Sequence, residues 1–449
     1  MSVLNSEYVL IAGVLLLIVL DIFRNRLNSE RKDIIQYATL AILVLAFAVE
    51  IMFGDFDIPF FSTMQYSQFV NGFILFLAIA IYSFLLADSR KHSTFIEFLF
   101  ILAVLGAMLV VISSNFISLL IAIEMISLAS YGLVFFQKSN ANLEGAMKYV
   151  SISFLSMVIL IFGISLVYGG TGTLSFGATY TVNYLPFIAG LSLVMVGLAF
   201  KSTIVPFHMW APDVYEASNG AVTAFLSSIS KAAGLIAMVR VFFFAFPASS
   251  AFVSDMFIIL AIATIFFATF LATVQERIKR LLAYSSIAQA GFAFIGIALL
   301  NYSGVSAAIF YIFSFAVADA LVFLAYKVFE DAKIVYKKDA SKMWAVSKVG
   351  VVCLFIGVLS LTGFPPTIGF FGKLLIFSAL LSNGYVYLVV SLFVILLFST
   401  FFYFALLRDM NPMENYKSNA KRTTSIRIKE AILIALTLAL FFGVVFVTF

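Results

Sequence analysis

Apolar runs long enough to cross a bilayer follow one another along almost the whole sequence, and no other feature limits the possible folds so strongly. A spanning helix needs about 20 mostly apolar residues. About fourteen segments meet that need, at 8–23, 34–53, 67–87, 95–112, 116–136, 149–168, 184–206, 219–246, 255–275, 281–300, 303–326, 346–382, 385–407 and 430–448. Backbone polar groups in lipid must be satisfied within the structure, so runs of this length read as helices. Only 11% of residues are charged, less than half the ~25% of a soluble domain. The expectation is an all-α polytopic membrane protein forming one integral membrane domain over 1–449. The first run has no basic residue before it and no small-residue cleavage site after it, so it is expected to be a retained span.

The cations support that count. Cytoplasmic connections carry excess Lys and Arg. Alternate connections hold Arg24, Arg26, Arg31 and Lys32; Arg90 and Lys91; Lys138 and Lys148; and Arg277, Lys279 and Arg280. The later members hold Lys327, Lys333, Lys337, Lys338, Lys342 and Lys348, then Arg408, Lys417, Lys421, Arg422, Arg427 and Lys429. Together these are 23 of the 27 basic residues, while the other connections have acids such as Glu7, Asp55 and Asp57. A wrong span count would scramble this segregation. Both termini are therefore expected on the outer side. The net charge of +5 is a topology signal and calls for no nucleic acid.

Redox and nucleotide chemistry are expected elsewhere. Cys353 is the one cysteine, so an iron–sulfur cluster held by this chain alone is excluded. His92 and His208 are too few for a zinc site of His and Cys ligands. No metal or cofactor is expected in the chain.

Four cations remain inside predicted spans, Lys201, Lys231, Arg240 and Lys373, with the acids Glu124 and Asp319 in comparable positions. A charge at the bilayer centre costs about 2.5–3.5 kcal/mol on insertion scales, so such groups mark ion pathways or internal pairs. Lys201 lies near the basic end of its helix, where snorkelling accounts for it as well as function does. Lys231 lies deeper. Arg240 suits a structural partner for a carboxylate. Glu124 is too short to snorkel and needs a partner or a proton.

Two of the lysines flank helix breaks. Lys373 follows Pro365 and Pro366, which interrupt helical hydrogen bonding; Lys201 precedes Pro206 and Pro212. Irregular backbone at membrane depth is tolerated only where protein or trapped water satisfies it. The breaks fall in the seventh and twelfth spans, an odd interval that inverts topology. Two inverted five-helix repeats are expected, at 95–246 and 255–407, after three N-terminal spans (1–94) and before a loop and last span (408–449). The 219–246 run is long for one span, so its first turns are expected to complete the broken seventh helix.

Lysine binds alkali cations poorly but carries protons well. Burial disfavours its charged form and a nearby carboxylate favours it, so movement between the two environments loads and unloads a proton. Ser202, Thr203, Ser227, Ser228, Ser230, Tyr284, Ser285, Ser286 and Gln289 are candidates to hold connecting water. Helix–helix hydrogen bonding is the commoner role for such residues.

The segments GLAFKSTIVPFHMWAPDVYEAS (197–218), LLAYSSIAQAGF (281–292) and LTGFPPTIGFFGK (361–373) resemble the antiporter-like subunits of respiratory complex I, relatives of multi-subunit sodium/proton antiporter subunits. The resemblance covers roughly the fourth to the thirteenth span. Lys373 at the second break resembles the N- and L-type subunits, where the M type has glutamate; the single span after it resembles the N type. The resemblance implies that Glu124 and Lys201 form a regulatory ion pair, that Lys231 is the central proton carrier and that Lys373 is the terminal one. Lys148 matches a basic position of the family, and His208 lies within its motif, where it serves equally well to satisfy the break. The implied setting is a proton-translocating NADH–quinone oxidoreductase of a bacterial inner membrane, in a hetero-oligomer with other complex I membrane subunits. Quinone, iron–sulfur clusters and flavin would then sit in partner subunits, leaving this chain a non-redox part of an enzyme.

Two positions depart from the family. Gln289 stands where histidine is common, and amide cannot exchange a proton at physiological pH. Asp319 puts a carboxylate where relatives have neutral residues, and it is expected to pair with a nearby lysine or line the water path. Two other readings stay open: a subunit of a cation/proton antiporter without redox partners, and a structural membrane subunit of a hydrogenase-like complex.

Overall fold

The computed structural model describes residues 6–24, 32–53, 66–88, 94–135, 140–176, 184–245, 251–411 and 424–443. Among these residues the fold is helical, with two isolated bridges and no longer strand. Helix α1 is Ser6–Arg24, α2 Lys32–Phe53, α3 Tyr66–Ala87, α4 Thr94–Ile112, α5 Phe116–Phe135 and α6 Asn140–Thr171. Then come α7 Tyr184–Lys201, α8 Trp210–Ala217, α9 Gly220–Phe244, α10 Ala251–Thr273, α11 Ile278–Ala298 and α12 Tyr302–Glu330. The last four are α13 Lys348–Thr362, α14 Ile368–Ser382, α15 Val386–Asp409 and α16 Thr424–Phe442. Among the described residues ten helices are long and apolar enough to cross a membrane; α1, α7, α13 and α14 carry shorter apolar stretches.

The seventh span breaks differently from expectation. Its second half is α8, not the first turns of 219–246, and α9 is one continuous helix. Asn219 separates the two, accepting a hydrogen bond from Ala221 N as the cap of α9. Residues 210–217 fall between the expected apolar runs and include Pro212, Asp213 and Glu216. Yet a proline in the first turn removes an N–H that has no helical acceptor.

Burial separates a protein-facing centre from an exposed apolar rim. Helices α9 and α11 are buried over their whole apolar windows and α12 over 94%, whereas the windows of α6 and α15 are only 22% buried. Phe154, Phe162, Phe393, Phe398 and Phe401 point outward from those rim helices. This is the expected response to lipid, which gives no reason to bury phenylalanine.

The two ends of the bundle differ in chemistry as the cation pattern requires. At the basic end Asp88 lies 3.7 Å from Lys327 and 3.5 Å from Lys429, and Asp331 is 2.6 Å from Lys327. These contacts tie α3, α12 and α16 together. At the other end Ser6 donates to Glu50, and Asn71 donates to Glu7 at 3.0 Å, joining α1, α2 and α3. Asp55, Asp57, Arg26, Arg31, Arg90, Lys91, Lys138, Lys417, Lys421, Arg422 and both chain ends lie outside the described residues.

Helices α6 and α7 approach backbone to backbone. A Cβ on Gly190 would lie 2.6 Å from Val167 N and 2.8 Å from Gly163 O, and one on Gly163 would lie 2.7 Å from Val194 N. Small residues permit this approach where lipid supplies no hydrophobic drive. Gly190→Ala should therefore lower the stability of the α6–α7 pair by about 1–3 kcal/mol. A reduced thermal midpoint in detergent would register this, and an unchanged midpoint would show that the helices separate at no cost.

Candidate functional site

The three buried central helices carry one hydrogen-bonded chain. Lys231 sits on α9 just after a wider π turn over Leu226–Ser230, a distortion often found at functional positions. Its ammonium donates to Ser286 on α11, and Ser286 donates to Asp319 on α12. Lys231 and Asp319 are both 0% exposed. The Asp319 Oδ1 atom has no hydrogen-bond partner. Asp319 thus reaches the lysine through a serine instead of pairing with it directly.

Gln289, one turn beyond Ser286, belongs to a second buried cluster. It donates to Tyr403 on α15 at 3.0 Å and accepts from Tyr311 on α12, while Ser285 and Tyr403 share a hydrogen bond. The amide is doubly engaged and orders two tyrosines, a role that needs no titration.

The second break explains the position of Lys373. Helix α13 ends at Gly363, whose φ of +84° is the left-handed conformation glycine favours at a helix end. In an unbroken helix the carbonyls of Leu361 and Thr362 would accept from residues 365 and 366, but both are prolines without N–H. Lys373, on α14 across the break, donates to those two carbonyls at 2.6 and 3.1 Å. Its ammonium also lies 5.0 Å from the Phe292 ring centre.

The first break is satisfied otherwise. Trp210 Nε1 donates to Phe200 O at 3.2 Å, and Val205 N donates to Thr264 Oγ1 at 3.0 Å. Thr203 takes φ +58°, unusual for a β-branched residue. The carbonyl of His208 accepts from Ala211 N, while its buried Nδ1 has no partner.

Lys201 points away from the break. It donates to Ser127 on α5 and Tyr149 on α6, each at 3.3 Å. Glu124 lies one turn before Ser127 and its charge acts on Lys201 through space. The described ion pairs do not include one between them within 4.0 Å. Arg240 donates to Ser113 O near the opposite end of the bundle. Lys148, half-exposed, meets Glu144 at 2.9 Å and Asp213 at 3.2 Å, far from the core chain in character.

Sequence reading did not single out Ser127, Tyr149, Tyr215, Tyr311 or Tyr403. Tyrosine in an apolar run reads as packing, and only the assembled helices reveal which hydroxyls turn inward. Of the hydroxyls expected to hold water, Ser202 and Ser228 instead bond their own helix backbone, at Leu198 O and Ala224 O.

Buried lysines at two helix breaks, with a third linked to a carboxylate between them, can be compared with known proteins. The family described as NADH:quinone oxidoreductase/Mrp antiporter, transmembrane, matches residues 113–442. The chain belongs to this family. F(420)H(2) dehydrogenase subunit N of Methanosarcina mazei is 32% identical, the match covering 98% of this chain and 95% of that one. NADH-quinone oxidoreductase subunit N of Moorella thermoacetica is 34% identical over 87% of this chain and 85% of the relative. The fold superposes on a chain of respiratory complex I from Thermus thermophilus solved with bound aureothin, with TM-score 0.81 and 25% identity, covering 98% of this chain and 97% of that chain.

In this member of the NADH:quinone oxidoreductase/Mrp antiporter family, Ser286→Ala would remove the hydrogen bond to Asp319 Oδ2. Leaving a buried acceptor unsatisfied costs about 1–3 kcal/mol. Ser286→Ala should lower the detergent melting midpoint of the protein, and Ser286→Thr should restore it. A midpoint unmoved by alanine would mean that Asp319 is satisfied from elsewhere.

Proposed function

We propose that the chain is the antiporter-like, proton-translocating membrane subunit of a complex of the NADH-quinone oxidoreductase kind. The observation that carries this reading is the Lys231–Ser286–Asp319 chain, sealed from solvent at the centre of the bundle. An amine, a hydroxyl and a carboxylate in a row can pass a proton without moving the backbone. They cannot form or break a carbon bond without a substrate space, so the reading assigns the chain no bond-making chemistry. Glu124 and Lys201 would stand on one side of this centre, Gln289 and Lys373 on the other.

In this reading residues 95–246 and 255–407 are the two inverted units, and the basic end faces the cytoplasm of a bacterial cell, with both termini outside. The resemblance to subunit N proteins supports partnership with other membrane subunits of the same complex. Quinone, iron–sulfur clusters and flavin would be held by those partners, which supply the driving force. Charge arriving at Glu124–Lys201 would alter the field at Lys231, and Lys231 would in turn load or unload Lys373.

A cation/proton antiporter is the competing reading, because the family description names both kinds of complex. It requires proton exchange driven by sodium in the absence of any quinone. The redox reading requires that coupling be lost when the central lysine is lost. Lys231→Met should assemble into the complex yet lower coupled quinone-reductase activity by about 100-fold or more, the scale on which positioned proton carriers act. Full pumping in that variant would overturn the assignment. Asp319→Asn should keep the hydrogen bond from Ser286 but remove the charge, giving an assembled complex with slower proton translocation in membrane vesicles. Parental pumping there would reduce Asp319 to a packing role.

A further inference from the structure

Lys231 and Asp319 are wholly buried, so a proton from water must cross protein to reach them. At the basic end a cavity of about 420 Å³ opens beside α8. Glu144, Lys148, Asp213, Glu216, Lys279 and Glu330 line it. Helix α8 has only eight residues and two unlike faces. Asp213, Glu216 and Ala217 border the cavity, while Trp210, Ala211, Val214 and Tyr215 are buried. One helix thickness therefore separates the cavity from the core.

The cavity face of α8 is pinned by charge. Asp213 meets Lys148 at 3.2 Å and Arg280 at 2.8 Å; Glu216 meets Arg280 at 3.2 Å and also pairs with Arg277. On the core face Tyr215 is 0% exposed, with its ring edge-on to Trp210 at 6.0 Å and to Phe323 at 5.8 Å. The Lys231 ammonium lies 5.6 Å from the centre of the same ring, and Asp319 is within electrostatic reach of Tyr215. The Tyr215 hydroxyl has no hydrogen-bond partner.

That last fact separates two explanations. Packing alone is served as well by phenylalanine, without the cost of a buried orphan hydroxyl. Buried polar groups nearly always find partners, and an exception calls for water or a chemical role. We propose that the Tyr215 hydroxyl relays protons between the cavity at the basic end and the Lys231–Ser286–Asp319 chain, with α8 as the partition it crosses.

The step balances without a phenolate. When water enters beside the hydroxyl, hydronium on the cavity side gives a proton to the phenol oxygen as the original O–H bond breaks. The released proton passes through a second water, which takes one proton and gives up another, to form an N–H bond on neutral Lys231, leaving both waters and the phenol unchanged and the lysine charged.

The proposal rests on the proton-carrier reading of Lys231, and the test keeps the two apart. Turnover of the purified complex in detergent, where no gradient opposes it, would be compared in H2O and D2O. Tyr215→Phe keeps the ring under Lys231 and should lower quinone-reductase turnover several-fold while raising the solvent isotope effect above the parental value. A packing role would leave the isotope effect at its parental value. Parental turnover and isotope effect in Tyr215→Phe, alongside impaired Lys231→Met, would overturn the relay alone. Parental turnover in Lys231→Met would overturn the carrier reading and the relay with it. If Tyr215→Phe fails to assemble, fluorotyrosine at position 215 retains ring and hydroxyl but alters its acidity. Turnover that changes with the degree of fluorination supports the relay, and turnover indifferent to it overturns the relay.

Discussion

The side chains at the centre of this bundle are buried away from solvent, and much of its architecture follows from that burial. Each carbonyl freed by a helix break and each buried charge must find its partner away from bulk solvent. The fold meets both needs with the same side chains. Lys373 closes the gap that Pro365 and Pro366 open, by donating to the carbonyls of Leu361 and Thr362. Lys231 is held by Ser286, which in turn holds Asp319. Remove the requirement for internal satisfaction and neither lysine would have a reason to lie where it does.

The same constraint made some of the molecule legible in advance. Long apolar runs can only be helices in lipid, so their approximate positions followed from composition. The prolines at 206, 365 and 366 marked where helices must stop, because the missing N–H and the ring clash are properties of the residue itself. Intramembrane Glu124, Lys201, Lys231, Asp319 and Lys373 stood out because charge there is costly.

What was hidden was direction. A lysine ammonium reaches far from its Cα, so sequence position says little about its contacts. Lys201 and Lys373 both flank breaks, yet one turns to Ser127 and Tyr149 while the other caps the break itself. The inward hydroxyls of Tyr149, Tyr215, Tyr311 and Tyr403 were equally hidden, since an amphipathic ring suits core and rim alike. Helix α8 was hidden because its charged face and first-turn proline imitate a loop.

The cap on the second break has a further physical consequence. An ammonium has three N–H bonds to donate, and the two carbonyls at the break use two of them. A neutral amine retains two. Lys373 can therefore lose one proton and still satisfy both orphaned carbonyls, whereas a carboxylate at that place would satisfy neither. In the proposed role this separates structure from transport: two N–H bonds hold the break closed in both charge states, and the third carries the proton that moves. Lys231 has no such backbone duty. Its described partners are the Ser286 hydroxyl and the face of Tyr215, so its hold on the proton answers to charge nearby, above all to Asp319, and not to the needs of a broken helix. In the proposed role Lys231 would thus be the carrier whose occupancy nearby charge shifts more freely, and Lys373 the one whose position is held more firmly.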